Sequence, residues 1–222
     1  MDYILSPSLL SADFTKLDRE IKICEENNVP YLHVDVMDGM FVPNISIGIP
    51  VVKSIRKITD LVLDVHLMIV KPERYIEAFA EAGSDIINIH YEATEDCVPV
   101  LKKIESLGKK AAVTIKPKTS YKEVIHLADY ADMFLVMSVE PGFGGQSFIE
   151  STLKNVEGLA EYKAAKGYEY DIEIDGGINI DNVTRPLDAG ANVIVAGSAI
   201  FGKGNTSERI QSFNEIMSRY KG

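Results

Sequence analysis

Tyr31-Leu-His-Val-Asp-Val-Met-Asp-Gly39 is a short apolar run that carries a histidine and an aspartate two positions apart. In a β-strand, residues two apart share a face, so His33 and Asp35 point the same way. Two distant runs repeat the pattern: Leu63-Asp-Val-His-Leu-Met68 sets Asp64 beside His66, and Asp171-Ile-Glu-Ile-Asp-Gly-Gly177 sets Glu173 beside Asp175. If these strands are neighbours in one parallel barrel, His33, Asp35, His66 and Asp175 converge at its mouth. Two imidazoles and two carboxylates there make a divalent metal site with two candidate bases.

Working outward, the chain alternates short apolar runs with amphipathic stretches, the pattern of a parallel sheet wrapped by helices. The strand candidates are Ile4 to Leu9, Tyr31 to Val36, Leu61 to His66, Ile86 to His90, Ala111 to Ile115, Met133 to Met137, Asp171 to Ile174 and Asn192 to Ala196. Between them, Leu17, Ile21 and Cys24 form a helical stripe. Pro72 opens a helix that Gly83 closes, and Leu101, Ile104 and Leu107 precede Gly108. Gly167 and Gly190 read as further stops, and a last helix carries Ile210, Phe213 and Met217 on one face. Eight such units predict a single-domain α/β chain folded as a (β/α)8 TIM barrel, whose active sites lie at the carboxyl ends of the strands. A doubly wound open sheet is disfavoured, because Ser6-Pro-Ser-Leu9 stands where a G-x-G-x-x-G fingerprint would follow the first strand.

Composition bounds the chemistry. The 222 residues are 46% hydrophobic, enough for a substantial core in one domain. A net charge of −10 without blocks of like charge opposes binding to nucleic acid or an anionic membrane, so an anionic substrate needs locally placed donors. The two cysteines, Cys24 and Cys97, lack a C-x-x-C spacing and read as reduced thiols. The amino-terminal Tyr3-Ile-Leu5 enters a strand pattern at once, and no signal-type or membrane-spanning apolar run is found; a cytoplasmic protein is expected.

Three late segments are rich in glycine: Pro141-Gly-Phe-Gly-Gly-Gln146, Asp175-Gly-Gly177 and Ala196-Gly-Ser198. They follow the sixth, seventh and eighth strand candidates, and barrels commonly bind phosphate with the loops after the last two of these and a short helix start. Glycine lets backbone amides approach an anion closely, which solves the problem an acidic chain has in holding one. Other residues carry blander readings. Asp38 and Asn44 shape the loop after the second strand, His90 is a barrel-packing residue or a support for the site, and His126 lies on an exposed helix face. Met37, Met68 and Met137 either wall the site or fill the barrel top.

Leu32-His-Val-Asp-Val-Met-Asp-Gly-Met-Phe-Val-Pro-Asn-Ile-Ser46, Asp64-Val-His-Leu-Met68 and Val136-Met-Ser-Val-Glu-Pro-Gly-Phe-Gly-Gly-Gln146 closely resemble the ribulose-phosphate 3-epimerase family. So do Ser6-Pro-Ser-Leu-Leu-Ser-Ala-Asp13, Glu173-Ile-Asp-Gly-Gly177 and Ala196-Gly-Ser-Ala-Ile-Phe201. The resemblance spans essentially the whole chain. It implies interconversion of D-ribulose 5-phosphate and D-xylulose 5-phosphate, with His33, Asp35, His66 and Asp175 holding the metal and Asp35 and Asp175 transferring protons. It also implies that Ser8 and His66 contact the sugar. The Gly142-Phe143-Gly144-Gly145 loop would cover the substrate, and Gly176, Gly177, Gly197 and Ser198 would hold the phosphate. A homo-oligomer is likewise implied by the resemblance, the exterior helices showing no decisive apolar seam.

The chemistry of the residues agrees. Inverting carbon 3 of a 2-ketose removes a proton next to a carbonyl and returns one to the opposite face of a planar enediolate, which calls for two acid/base groups on opposite sides. A metal acting as a Lewis acid stabilises the intermediate and lets two carboxylates sit close together. The mixed ligand set suits zinc, iron, manganese or cobalt. One departure is Lys116-Pro117, where many members have Asn-Pro; Lys116 reads as a solvated loop residue or as an offset to substrate charge. A 3-epimerase for a six-carbon ketose such as allulose 6-phosphate, or a sugar-phosphate binding barrel without turnover, are the alternatives.

Overall fold

The computed structural model describes residues 3–202 and 204–220. Eight strands alternate with helical segments in chain order: β1 Ile4–Pro7, β2 Tyr31–Met37, β3 Val62–Met68, β4 Ile86–His90, β5 Lys110–Ile115, β6 Met133–Met137, β7 Asp171–Asp175 and β8 Val193–Ala196. All pair in parallel in the order β1-β8-β7-β6-β5-β4-β3-β2. A parallel bridge between Ser8 and His33 brings β1 against β2, so the sheet curls into a nearly closed (β/α)8 barrel. The helices are α1 Leu17–Glu26, α2 Ile49–Ile55, α3 Ile76–Ala82, α4 Cys97–Ser106, α5 Leu153–Lys166, α6 Thr184–Ala189, α7 Ser198–Phe201 and α8 Thr206–Ser218.

Strand parity sorts the core. Leu32, Val34 and Val36 of β2, Leu63, Val65 and Leu67 of β3, and Ile172 and Ile174 of β7 face outward and join the cluster that also buries Ile210, Phe213 and Met217 of α8. The inward set is different. Tyr31, Ile86, Ala112, Met133 and Val193 form a small apolar plug at the amino ends of their strands. Above it most inward side chains are polar: His33, Asp64, Asn88, Thr114 and Glu173, then Ser8, Asp35, His66 and His90, all buried, with Leu135 and Met137 of β6 and Val195 of β8 apolar among them. Helix packing therefore needs only the outward residues, and the inward ones at the strands' carboxyl ends are left to chemistry.

Glycine closes three helices as expected, with Gly83, Gly167 and Gly190 in the left-handed region at the ends of α3, α5 and α6. Two expectations are corrected. The segment opened by Pro72 is not one helix: a 3₁₀ turn at Pro72–Arg74 breaks at Tyr75 (φ −121°, ψ −2°) before α3 begins. The stretch containing exposed His126 is likewise two 3₁₀ turns, Tyr121–Glu123 and Ile125–Leu127. There Ser120 and Glu123 form a capping box, but the turn ends at Val124. A run this short cannot propagate a helix, and buried Val124 and Leu127 dock it instead. Cys24 and Cys97 are both buried free thiols.

Candidate active site and metal centre

β2, β3 and β7 deliver His33, Asp35, His66 and Asp175 to one point, where one ligand atom from each lies within 4.8 Å of all the others. The register explains the meeting: His33 pairs with Asp64 and Asp35 with His66 across β2 and β3. Ser8 Oγ donates to Asp35 Oδ2 at 2.6 Å. Asp35 Oδ1 is 3.6 Å from His33 Nε2 and 3.5 Å from His66 Nδ1. Those two nitrogens are 3.2 Å apart, and Asp175 Oδ2 is 3.9 Å from His33 Nε2. A tetrahedral ion with bonds of about 2.1 Å separates its ligand atoms by about 3.4 Å. The four ligand-atom separations just given bracket that value.

Electrostatics favour positive charge at this point. Burial opposes the imidazolium form of His33, but the negative charges of Asp35 and Asp64 outweigh it and hold the ring well above its ordinary pKa. Asp35 is held well below the usual carboxylate range, because burial is overcome by the charge and hydrogen bonding of His33 and His66. Asp175 goes the other way: burial, with the nearby charge of Asp35, pushes it up to about 6 despite His33. Two carboxyl groups driven in opposite directions are what an acid and base pair requires.

Beneath the cluster, His33 Nδ1 donates to Asp64 Oδ2 at 2.6 Å, which leaves the Nε2 side facing the other ligands. Glu173 sits 3.6 Å from the same nitrogen. Burial first, then the charge of Asp64, holds the Glu173 carboxyl well above its ordinary value, so it keeps its proton. That proton is a donor for a pair in which Asp64 Oδ1 and Glu173 Oε1 otherwise find no partner. Asp64 and Glu173 were legible as same-face neighbours of His66 and Asp175, but nothing in the sequence said which carboxylates would point up and which would lie below.

A cleft of about 540 Å³, including its open mouth, is lined by Ser8, Asp35, Asp175 and the glycine loops: Gly142, Phe143, Gly144, Gly145, Gly176, Gly177, Gly197 and Ser198. His66 and His33 are absent from its wall and are wholly buried. Met37 and Met68 line the cleft, whereas Met137 packs with Leu135 and Val139. The backbone N–H groups of Gly176, Gly177, Gly197 and Ser198 donate to no backbone acceptor among the described residues. Gly177 has φ +68°, and a Cβ there would lie 2.5 Å from Phe148 N. That packing holds the β7 loop against the segment that follows β6.

Asn44 does more than shape its own loop: its Nδ2 donates to the Gly142 carbonyl at 2.9 Å, joining the loops after β2 and β6. Asp38 is structural, accepting from the N–H groups of Met40, Phe41 and Val70. Lys116 lies with its Nζ 3.9 Å over the Phe41 ring and is not part of the cleft wall. His90 touches His66, and burial above all keeps its ring neutral, with a pKa lowered to about 4. Glu92 is a functional candidate that sequence reasoning missed; it follows β4 in a 3₁₀ turn and reaches His90 and the loop after β5. No helix among the described residues is long and apolar enough to cross a membrane.

A (β/α)8 barrel carrying an opposed carboxyl pair, a metal-type ligand cluster and an anion-ready glycine rim belongs to the class of barrel enzymes that move protons on small anionic substrates. The sequence profile of the "Ribulose-phosphate 3 epimerase family" matches residues 4–201. The chain is 48% identical to a chloroplastic ribulose-5-phosphate-3-epimerase of Arabidopsis thaliana, over 95% of this chain and 75% of that protein. It is 46% identical to a ribulose-phosphate 3-epimerase of Bacillus subtilis, over 96% and 97%. This chain belongs to the ribulose-phosphate 3-epimerase family. Among solved structures, a 3-hexulose-6-phosphate synthase from Salmonella typhimurium superposes with a TM-score of 0.73 at 15% identity, covering 98% of this chain and 99% of that one, a likeness of fold.

Proposed function

We propose that this chain is a metal-dependent 3-epimerase that interconverts D-ribulose 5-phosphate and D-xylulose 5-phosphate. The observation that carries the reading is the convergence of His33, Asp35, His66 and Asp175 beside a cleft whose rim is the glycine loops. Curated relatives bearing the ribulose-phosphate epimerase name over nearly the full chain support the substrate class.

The residues divide the work. The unpaired amides of Gly176, Gly177, Gly197 and Ser198 receive the phosphate without any net positive charge on the chain. Asp35, kept ionised and oriented by Ser8, removes the carbon 3 proton from one face; Asp175, the carboxyl with the raised proton affinity, returns a proton on the other. The reverse direction exchanges their roles. A divalent zinc, iron, manganese or cobalt ion held by His33, His66 and the two aspartates would supply Lewis-acid stabilisation of the charge that develops on the substrate oxygens. Asp64 orients the His33 imidazole for that purpose. The loop Gly142 to Gly145, with half-exposed Phe143, closes over the bound sugar and excludes water.

The test follows D-ribulose 5-phosphate in deuterated water with and without a chelator. Xylulose 5-phosphate carrying deuterium at carbon 3, formed only with metal present, is the expected result. No product and no exchange in the metal-supplied protein would reject the reading. A higher kcat/KM for allulose 6-phosphate than for ribulose 5-phosphate would transfer the assignment to the six-carbon substrate.

A further inference from the structure

Behind His66 runs a chain of hydrogen bonds that no step of the reaction uses. His66 Nδ1 faces Asp35 and His33, and its other nitrogen, Nε2, lies 2.9 Å from His90 Nε2. His90 Nδ1 lies 3.3 Å from Glu92 Oε2. Glu92 Oε1 in turn accepts from the Lys116 backbone N–H at 2.8 Å and from the Thr119 hydroxyl at 2.5 Å. With two donors already on it, Glu92 offers His90 only an acceptor.

The protons along this chain are then determined. A neutral imidazole is a donor on one nitrogen and an acceptor on the other. His90 must carry its proton on Nδ1 to donate to Glu92, which makes its Nε2 an acceptor. His66 must therefore carry its proton on Nε2, and its Nδ1 lone pair points at the ligand cluster. Packing stops the rings from turning out of this arrangement: His66 and His90 meet edge to edge, their centroids 4.9 Å apart and their planes 25° from one another, and the Phe41 ring lies against His90 at 4.7 Å. Lys116 Nζ caps Phe41 from the outside, so the same loop after β5 reaches both Phe41 and Glu92, the two groups that hold His90.

We infer that His90 and Glu92 are positioning residues that set the tautomer of His66, and that the segment Lys116 to Thr119 anchors them. The inference rests on the reading of His66 as a metal ligand, a role that requires an unprotonated Nδ1. It also gives the Lys116 segment a function away from the substrate: its backbone N–H holds Glu92 and its side chain caps Phe41.

Glu92→Gln tests it. The amide can face its oxygen to His90 or to Lys116 and Thr119, but not to both, so either the His90 Nδ1–H or the Lys116 N–H is left against an NH₂ group. The readouts are imidazole ¹⁵N shifts of the metal-free protein, which report the nitrogen that carries each proton, and the zinc dissociation constant from competition with a chelator. In the parent, His66 is expected as the Nε2–H form and His90 as the Nδ1–H form. In E92Q both should become tautomer mixtures, with zinc binding weakened about 10-fold or more. Thr119→Val, which removes one anchoring donor and leaves the backbone one, should shift both readouts less and in the same direction, and it carries the test if E92Q does not fold. An Nδ1–H His66 in the parent, or a folded variant with unchanged tautomers and zinc affinity, would overturn the inference. A parent that shows the expected tautomers and binds zinc but epimerises nothing would sink the proposed function and leave this one standing.

Discussion

Replacing Asp175 by Asn should slow the reaction and stabilise the metal-free fold at once. The amide has nearly the same shape but neither charge nor a proton to give. Burial and the neighbouring Asp35 lift the Asp175 carboxyl from 3.8 to about 6. The sign is that of an acid whose folded pKa is raised: below 3.8 both states are protonated and nothing is lost, and above about 6 the folded state bears an ionised group it disfavours. Converted at 1.36 kcal/mol per pH unit, that cost is at most about 3 kcal/mol at pH 8. Asn removes it, and for a chain of this length the gain corresponds to a rise of about 5–10 °C in Tm. Catalysis moves the other way, because loss of one acid/base group alone costs about 10²- to 10⁴-fold and an anionic ligand goes with it. The paired assays are thermal unfolding of chelated protein at pH 8 and kcat of metal-loaded protein, with KM expected to change little because the glycine rim is untouched. A D175N protein that is less stable without metal, or that keeps most of its kcat, would refute the reasoning.

Gly177→Ala should raise KM far more than it lowers kcat, because a Cβ 2.5 Å from Phe148 N forces the β7 loop away from the phosphate end of the cleft while the carboxyl pair stays in place; steady-state kinetics on ribulose 5-phosphate read the split. Glu92 predicts an acid limb in stability. Burial raises its carboxyl, but hydrogen bonds from His90, Thr119 and the Lys116 backbone outweigh that and lower it from 4.5 to about 2. A depressed carboxyl stabilises the fold above its unfolded value, so a contribution of at most about 3 kcal/mol should fade as pH falls from 4.5 towards 2. Urea unfolding of the metal-free parent should show that slope and E92Q should show less of it.

The barrel was legible in the sequence because its signals are local. Alternation within β2, β3 and β7 is a two-residue pattern, and the stops at Gly83, Gly167 and Gly190 are single left-handed residues. The same periodicity placed His33, Asp35, His66 and Asp175 on inward faces at strand ends, and eight repeated units left few topologies in which those ends do not meet. Where competition between neighbouring signals decided the outcome, local reading fell short: the stretch around His126 reads as an amphipathic helix, and packing of Val124 and Leu127 leaves it as two separate 3₁₀ turns.

Residue types, their parity and their order are thus properties of the chain alone, and they determined the barrel, the convergence of His33, Asp35, His66 and Asp175, and the glycine rim. Distance, depth and direction belong to the tertiary structure. Only closure of the sheet put Asp64 and Glu173 under the cluster rather than in it, drove Asp35 and Asp175 to opposite proton affinities, and brought the loop after β5 to Glu92 behind His66. The physical reason is that proton affinity and tautomer depend on which groups surround an atom and how little water reaches it, and those neighbours come from strands far apart in sequence.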